Sequence, residues 1–99
     1  MLRIRGIAAL RAKRAQIIEI ARRHGVIDLQ IFGSFARGDL REESDVDILV
    51  TVGPKCSPWF PGGLVADLEE LLGRPVQVVT REGLKPQFRD RVLAEAVAL

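Results

Sequence analysis

Hydrophobic and polar positions alternate along this chain with two clear periods. From Gly6 to His24, Ile7, Leu10, Ile17, Ile18, Ile20 and Ala21 fall on one broad arc at about 100° per residue, which predicts an amphipathic helix. Gly25 follows where a helix is readily stopped by a residue with positive φ. The period then changes to two. Ile27, Leu29 and Ile31 alternate with Asp28 and Gln30, predicting a strand over 27–32 with one buried face. Asp45 to Val52 repeats the pattern more strongly: Val46, Ile48, Val50 and Val52 share one face, and Asp45, Asp47, Leu49 and Thr51 share the other.

Between these strands, Gly33-Ser34 ends the first, and Ser34 is placed to cap a short helical turn closed by Gly38. Gly53 to Gly63 holds three prolines and three glycines and reads as a long loop. Leu64, Val65, Leu68, Leu71 and Leu72 then form the apolar side of a second main helix, stopped by Gly73 and Pro75. Val76 to Thr80 is a third strand. Phe88, Val92, Ala96 and Leu99 line a C-terminal helix, with Pro86 in its first turn. The order helix, strand, strand, helix, strand, helix predicts one α/β (α+β) domain over 1–99, a small mixed sheet with helices packed on one face.

Composition narrows the class. Ninety-nine residues with 47% hydrophobic and 28% charged side chains suit a folded domain rather than a disordered one. Ile48 to Val52 is far shorter than the roughly 20 apolar residues of a membrane span. No secretory pattern opens the chain, so no membrane partner and a cytoplasmic location are expected. A single cysteine, Cys56, excludes an internal disulfide framework.

The net charge is +2, but residues 1–24 carry seven cations against Glu19 alone. A basic N-terminus on an acidic body raises nucleic acid as a ligand. The cations do not form a continuous stripe, however. Lys13 and Arg14 intrude on the apolar arc and Arg23 lies away from Arg11 and Arg22. A solvated helix or a surface for another protein fits better. His24 reads as a helix-end residue, because no second histidine exists to join it on a metal. Trp59 and Phe60 are expected to fold back onto the core.

Two local features carry chemistry. Asp45 and Asp47 stand at i and i+2 on one strand face, with Cα atoms about 6.5–7 Å apart, so both carboxylates can reach one hard cation. Gly33-Ser34 at the end of a buried strand lets an anion approach the backbone and adds a hydroxyl. Alone, each is more often an exposed acidic pair or an ordinary turn. Together they place a phosphate cradle beside a metal-binding pair.

The run Gly33-Ser34-Phe35-Ala36-Arg37-Gly38, followed by Ser44-Asp45-Val46-Asp47-Ile48-Leu49-Val50, resembles the signature of the minimal nucleotidyltransferases of the DNA polymerase β-like superfamily. Leu72-Gly73-Arg74, the strand at 76–80 and the ending Glu95-Ala96-Val97-Ala98-Leu99 extend the resemblance over nearly the whole chain. The resemblance implies that Gly33, Ser34 and Arg37 bind the nucleoside triphosphate. Asp45 and Asp47 would hold Mg²⁺, with two ions accommodated. ATP is the implied substrate, and a HEPN-domain toxin the implied partner, onto which AMP is transferred. One departure stands out. The family's third carboxylate falls at Gln77, in Val76-Gln77-Val78-Val79. An amide is not a general base at neutral pH. Asp39, Glu42 and Glu43 are the nearby acids available to stand in. A binding-only antitoxin and a nucleic-acid-binding module are the alternative readings.

Overall fold

The structure is a computed structural model that describes residues 5–55 and 60–99. Cys56 and Trp59 lie outside the described residues. Four strands form one sheet: β1 (Val26–Phe32), β2 (Val46–Val52), β3 (Val76–Thr80) and β4 (Val97–Ala98), in the spatial order β3-β2-β1-β4. β2 pairs antiparallel with β1 and parallel with β3, while β4 runs antiparallel to β1. The parallel pair is joined through helix α4 (Gly62–Leu72), as a crossover between parallel neighbours requires.

The β-branched face of β2 is buried as its alternation predicts. Val46, Ile48 and Val50 pack in one cluster with Leu10, Ile17, Ile31, Phe35, Leu64, Leu68 and Leu72. The helices over this face are α1 (Ile7–Ala12), α2 (Arg14–Arg23) and α4. Phe60 packs against the same cluster. Leu49 is buried on the opposite face, outside that cluster. There α5 (Pro86–Glu95) stands across a cleft from Asp47, Gln77 and Val79, so the helices are not all on one face.

Four local expectations are corrected. The first helix is two helices, broken at Lys13, whose N–H bonds to the Leu10 carbonyl at 3.0 Å in a tight turn. The break falls at the charged pair that interrupted the apolar arc, and Arg14 is left in solvent while Leu10 and Ile17 are both buried. β1 begins at Val26, and its register slips between Val26 and Asp28. This bulge turns Ile27 outward, 69% exposed, and gives its place to Val26. The C-terminal helix ends at Glu95; Ala96 is extended and Val97–Ala98 pair with Ile31 and Gln30 instead. Phe88 does not join the core and is 46% exposed.

His24 ends α2 and its Nε2 lies 2.8 Å from Asp67 Oδ2, pinning α2 to α4. Arg22 and Arg23 both reach Glu19, and Arg11 donates to the Ala98 carbonyl at 3.0 Å. The basic N-terminal region is thus largely tied to the protein's own oxygens.

Candidate active site

The site begins where β1 runs out. Phe32 is paired with Asp47, and the next residue, Gly33, has φ 74° and ψ −153°. That region of backbone space is essentially reserved for glycine. There is a second reason for glycine: a Cβ at this position would collide with the Asp47 carboxylate. The strand end and the aspartate are therefore in direct apposition. The chain then makes one helical turn, α3 (Ser34–Arg37), closed by Gly38 in the left-handed conformation. Ser34 is the first residue of that turn rather than its cap, a place taken by Gly33.

A cleft of about 480 Å³ opens over this corner, within the range of small-molecule sites. Gly33, Arg37, Asp47 and Gln77 all line it, with Lys85, Phe88 and Arg91 on the side of α5. Gln77 is the register partner of Asp47 across the parallel β2–β3 pair. Ser34 and Asp45 lie outside the lining. Asp45 is exposed, one residue before β2 begins.

Asp47 is the electrostatically unusual group. Its pKa is pushed up to about 6, first by burial and then by the negative charge of Asp45. Arg37 opposes the shift, and Glu95 adds to it. A carboxylate this reluctant to ionise lacks sufficient positive charge nearby.

Glu95, the last residue of α5, was not among the expected site residues. Its Oε1 accepts a 2.7 Å hydrogen bond from the Gly33 N–H and a 3.0 Å bond from Arg37 Nη1. The sequence does hold a signal for it. Glu95 is three residues after Val92 and seven after Phe88, so it continues their helical face with a charge. An acid on the inward line of a helix needs a partner. Of the loop acids, Asp39 pairs with Arg37 at 3.1 Å, on a side chain that itself lines the cleft, and Glu42 pairs with Arg5 at 3.4 Å, both in solvent.

Arg74 supports the connection between the two motifs. It is 4% exposed, and its Nη1 donates to the carbonyls of Arg41, Glu42 and Ser44 at 3.0–3.3 Å. Ser44 Oγ in turn accepts from the Arg41 N–H at 2.8 Å. The loop that delivers Asp45 and Asp47 is thus folded around one guanidinium.

Among the described residues, no group of three or more His, Cys, Asp or Glu side chains converges on a single metal position. Two carboxylates nevertheless fit Mg²⁺, which commonly takes one or two from protein and the rest from water and phosphate. The undercompensated charge at Asp47 is the local observation that favours a cation there.

A Nucleotidyltransferase domain family matches residues 14–99, and the chain belongs to that family. It is 44% identical over 84 residues to "Putative protein adenylyltransferase MJ0435" of Methanocaldococcus jannaschii, covering 85% of this chain and 90% of that protein. It is 40% identical over 79 residues to the protein adenylyltransferase MntA of Thermococcus cleftensis, covering 80% of each. A solved structure of a "putative minimal nucleotidyltransferase" superposes with a TM-score of 0.83 at 39% identity, over 96% of this chain and 97% of that one. A toxin–antitoxin crystal structure with AMP-PNP shares the fold, at TM-score 0.72 and 21% identity, over 85% of this chain and 69% of that one.

Proposed function

We propose that this protein transfers AMP from ATP to a hydroxyl of a partner protein, in a Mg²⁺-dependent reaction, as the antitoxin of a HEPN-type toxin. The observation that carries the reading is the convergence of the Gly33 N–H, the Arg37 guanidinium and the Asp47 carboxylate on one cleft. Relatives named as protein adenylyltransferases support the choice of protein as acceptor. The AMP-PNP in the toxin–antitoxin structure of this fold supports an adenine nucleotide and a toxin partner.

In this reading the acceptor hydroxyl oxygen bonds to the α-phosphorus as its proton passes to water, the bond from that phosphorus to the bridging oxygen breaks, and pyrophosphate leaves. Gly33 lets the phosphates approach the backbone, where its N–H donates to a phosphate oxygen. Arg37 sets a fixed positive charge against the same group, with the planar donors that suit phosphate. Ser34 contributes a hydroxyl beside them. Asp45 and Asp47 would hold the cation, whose chemistry is to offset charge on the phosphates and leaving group. Gln77, beside Asp47, can orient a water or hydroxyl by hydrogen bonding but cannot take its proton.

The test is incubation of the purified protein with α-labelled ATP, Mg²⁺ and a HEPN-domain protein encoded beside it, the neighbour. Label on the neighbour is the expected result. Complex formation without label, with the neighbour's toxicity suppressed, replaces the reading with neutralisation by binding alone, which Gln77 favours. Neither label nor complex overturns both.

A further inference from the structure

Two of the donors assigned to phosphate, the Gly33 N–H and Arg37 Nη1, are already filled. One oxygen of Glu95 accepts from both the Gly33 N–H, at 2.7 Å, and Arg37 Nη1, at 3.0 Å. A carboxylate oxygen held by a backbone amide and a guanidinium has the same hydrogen-bonding chemistry as a phosphoryl oxygen. The contact is long in sequence, 62 residues from Gly33, and comes from the helix that forms the far wall of the cleft. The Glu95 side chain is also largely buried, 17% exposed.

We propose that Glu95 is a resident anion in the phosphate corner, which the triphosphate of an incoming nucleotide displaces from Gly33 and Arg37. The inference rests on the nucleotide reading above. In the empty protein the carboxylate keeps both donors satisfied and ties α5 across the cleft. Binding exchanges one anion for another, so the affinity for nucleotide is reduced by the fraction of molecules in which Glu95 is seated. The next residues, Val97 and Ala98, pair with Ile31 and Gln30 on β1. Release of Glu95 therefore loosens the anchor of β4 at its first residue, and nucleotide occupancy is read out at the sheet edge.

The experiment titrates the full chain with MgATP, comparing wild type with Glu95→Gln and Glu95→Ala. The side-chain carboxylate of Glu95 is followed in the wild type by carbon-detected NMR. Both variants should bind MgATP three- to tenfold more tightly. In the wild type, saturating MgATP should move the Glu95 resonance to that of an exposed glutamate and speed amide exchange at Val97. Unchanged or weaker binding by the variants, with the wild type binding, overturns the inference alone and makes Glu95 a positioning residue for Arg37. An unmoved Glu95 resonance at saturation also overturns it. If neither wild type nor variant binds MgATP, the nucleotide reading falls, and the displacement falls with it.

Discussion

The guanidinium carbon of Arg74 lies 5.5 Å from the ring centroid of Phe35, so a buried cation is stacked on the central residue of the Gly33–Gly38 turn. The same guanidinium holds three carbonyls of the loop that leads to Asp45. One side chain therefore fixes the Gly33–Gly38 turn and the acidic loop relative to each other. Lysine cannot both stack a plane and span several carbonyls. Arg74→Lys should cost about 2 kcal/mol in denaturant unfolding. It should also weaken MgATP binding, although residue 74 is absent from the cleft lining. Loss of stability with unchanged MgATP affinity would show that the loop is positioned without it.

Gly33→Ala tests the apposition of Gly33 and Asp47. The substitution forces a β-carbon into the Asp47 carboxylate and a disfavoured φ of 74° onto alanine. A cost of about 2–4 kcal/mol is expected from strain and overpacking. MgATP binding should be lost in the folded fraction, as measured by calorimetry on samples verified by circular dichroism. Wild-type affinity in this variant would remove Gly33 from the site.

Asp47 makes the metal-free protein sensitive to mild acid in an unusual direction. Its folded pKa, about 6, lies above the ordinary aspartate value of 3.8. Between those values the folded state retains a proton that the unfolded chain has released. Its contribution to stability is therefore fully present below about pH 4 and is lost as pH rises through 6. Asp47→Asn should flatten this slope and stabilise the metal-free protein at pH 7 by about 1 kcal/mol, a figure discounted for partial solvent screening. The same variant should lose Mg²⁺-dependent nucleotide binding. Melting curves in chelator from pH 4 to 8, beside titrations with MgATP, measure both effects. A variant no more stable than wild type at pH 7 contradicts the account of Asp47.

Gln77→Asp introduces an acid at the register partner of Asp47. If proton removal limits transfer, the rate should rise by about 10²-fold or more, the typical worth of general-base assistance. MgATP affinity should change far less. In chelator the variant should be less stable than wild type, because a further carboxylate joins Asp47 and Glu95. An active wild type whose rate is indifferent to the substitution would show that residue 77 does not take the proton.

The sheet and its faces were legible because β-branched residues repeat with period two in β2 and the leucines of α4 repeat with the helical period. Legibility failed where one residue changed the count. The bulge between Val26 and Asp28 exchanges Val26 for Ile27 on the inner face, and a strict alternation cannot register an inserted position. The break at Lys13 occurs without proline or glycine, so only the charges intruding on the apolar arc hinted at it. Ala96 continues the Phe88–Val92 spacing and so predicts helix, yet the pairing of the next residues with β1 takes the chain away. At the site, Gly33, Arg37, Asp47 and Gln77 could be found as local words in the sequence. Glu95 and Arg74 could not be given roles, because each acts on residues more than 29 positions away.

β4 has a consequence for how the molecule is made. The short strand completes the edge of β1, and Glu95 just before it ties off the Gly33 corner. Both contacts join the C-terminal end of the described fold to its middle, so their loop entropy is among the largest in the chain. During synthesis, the hydrophobic cluster of α2, β1, β2 and α4 can gather as soon as its residues emerge. The cleft cannot. It acquires its far wall only after residues 86–98 have left the ribosome, so a chain interrupted before them would hold most of its core and none of its competence.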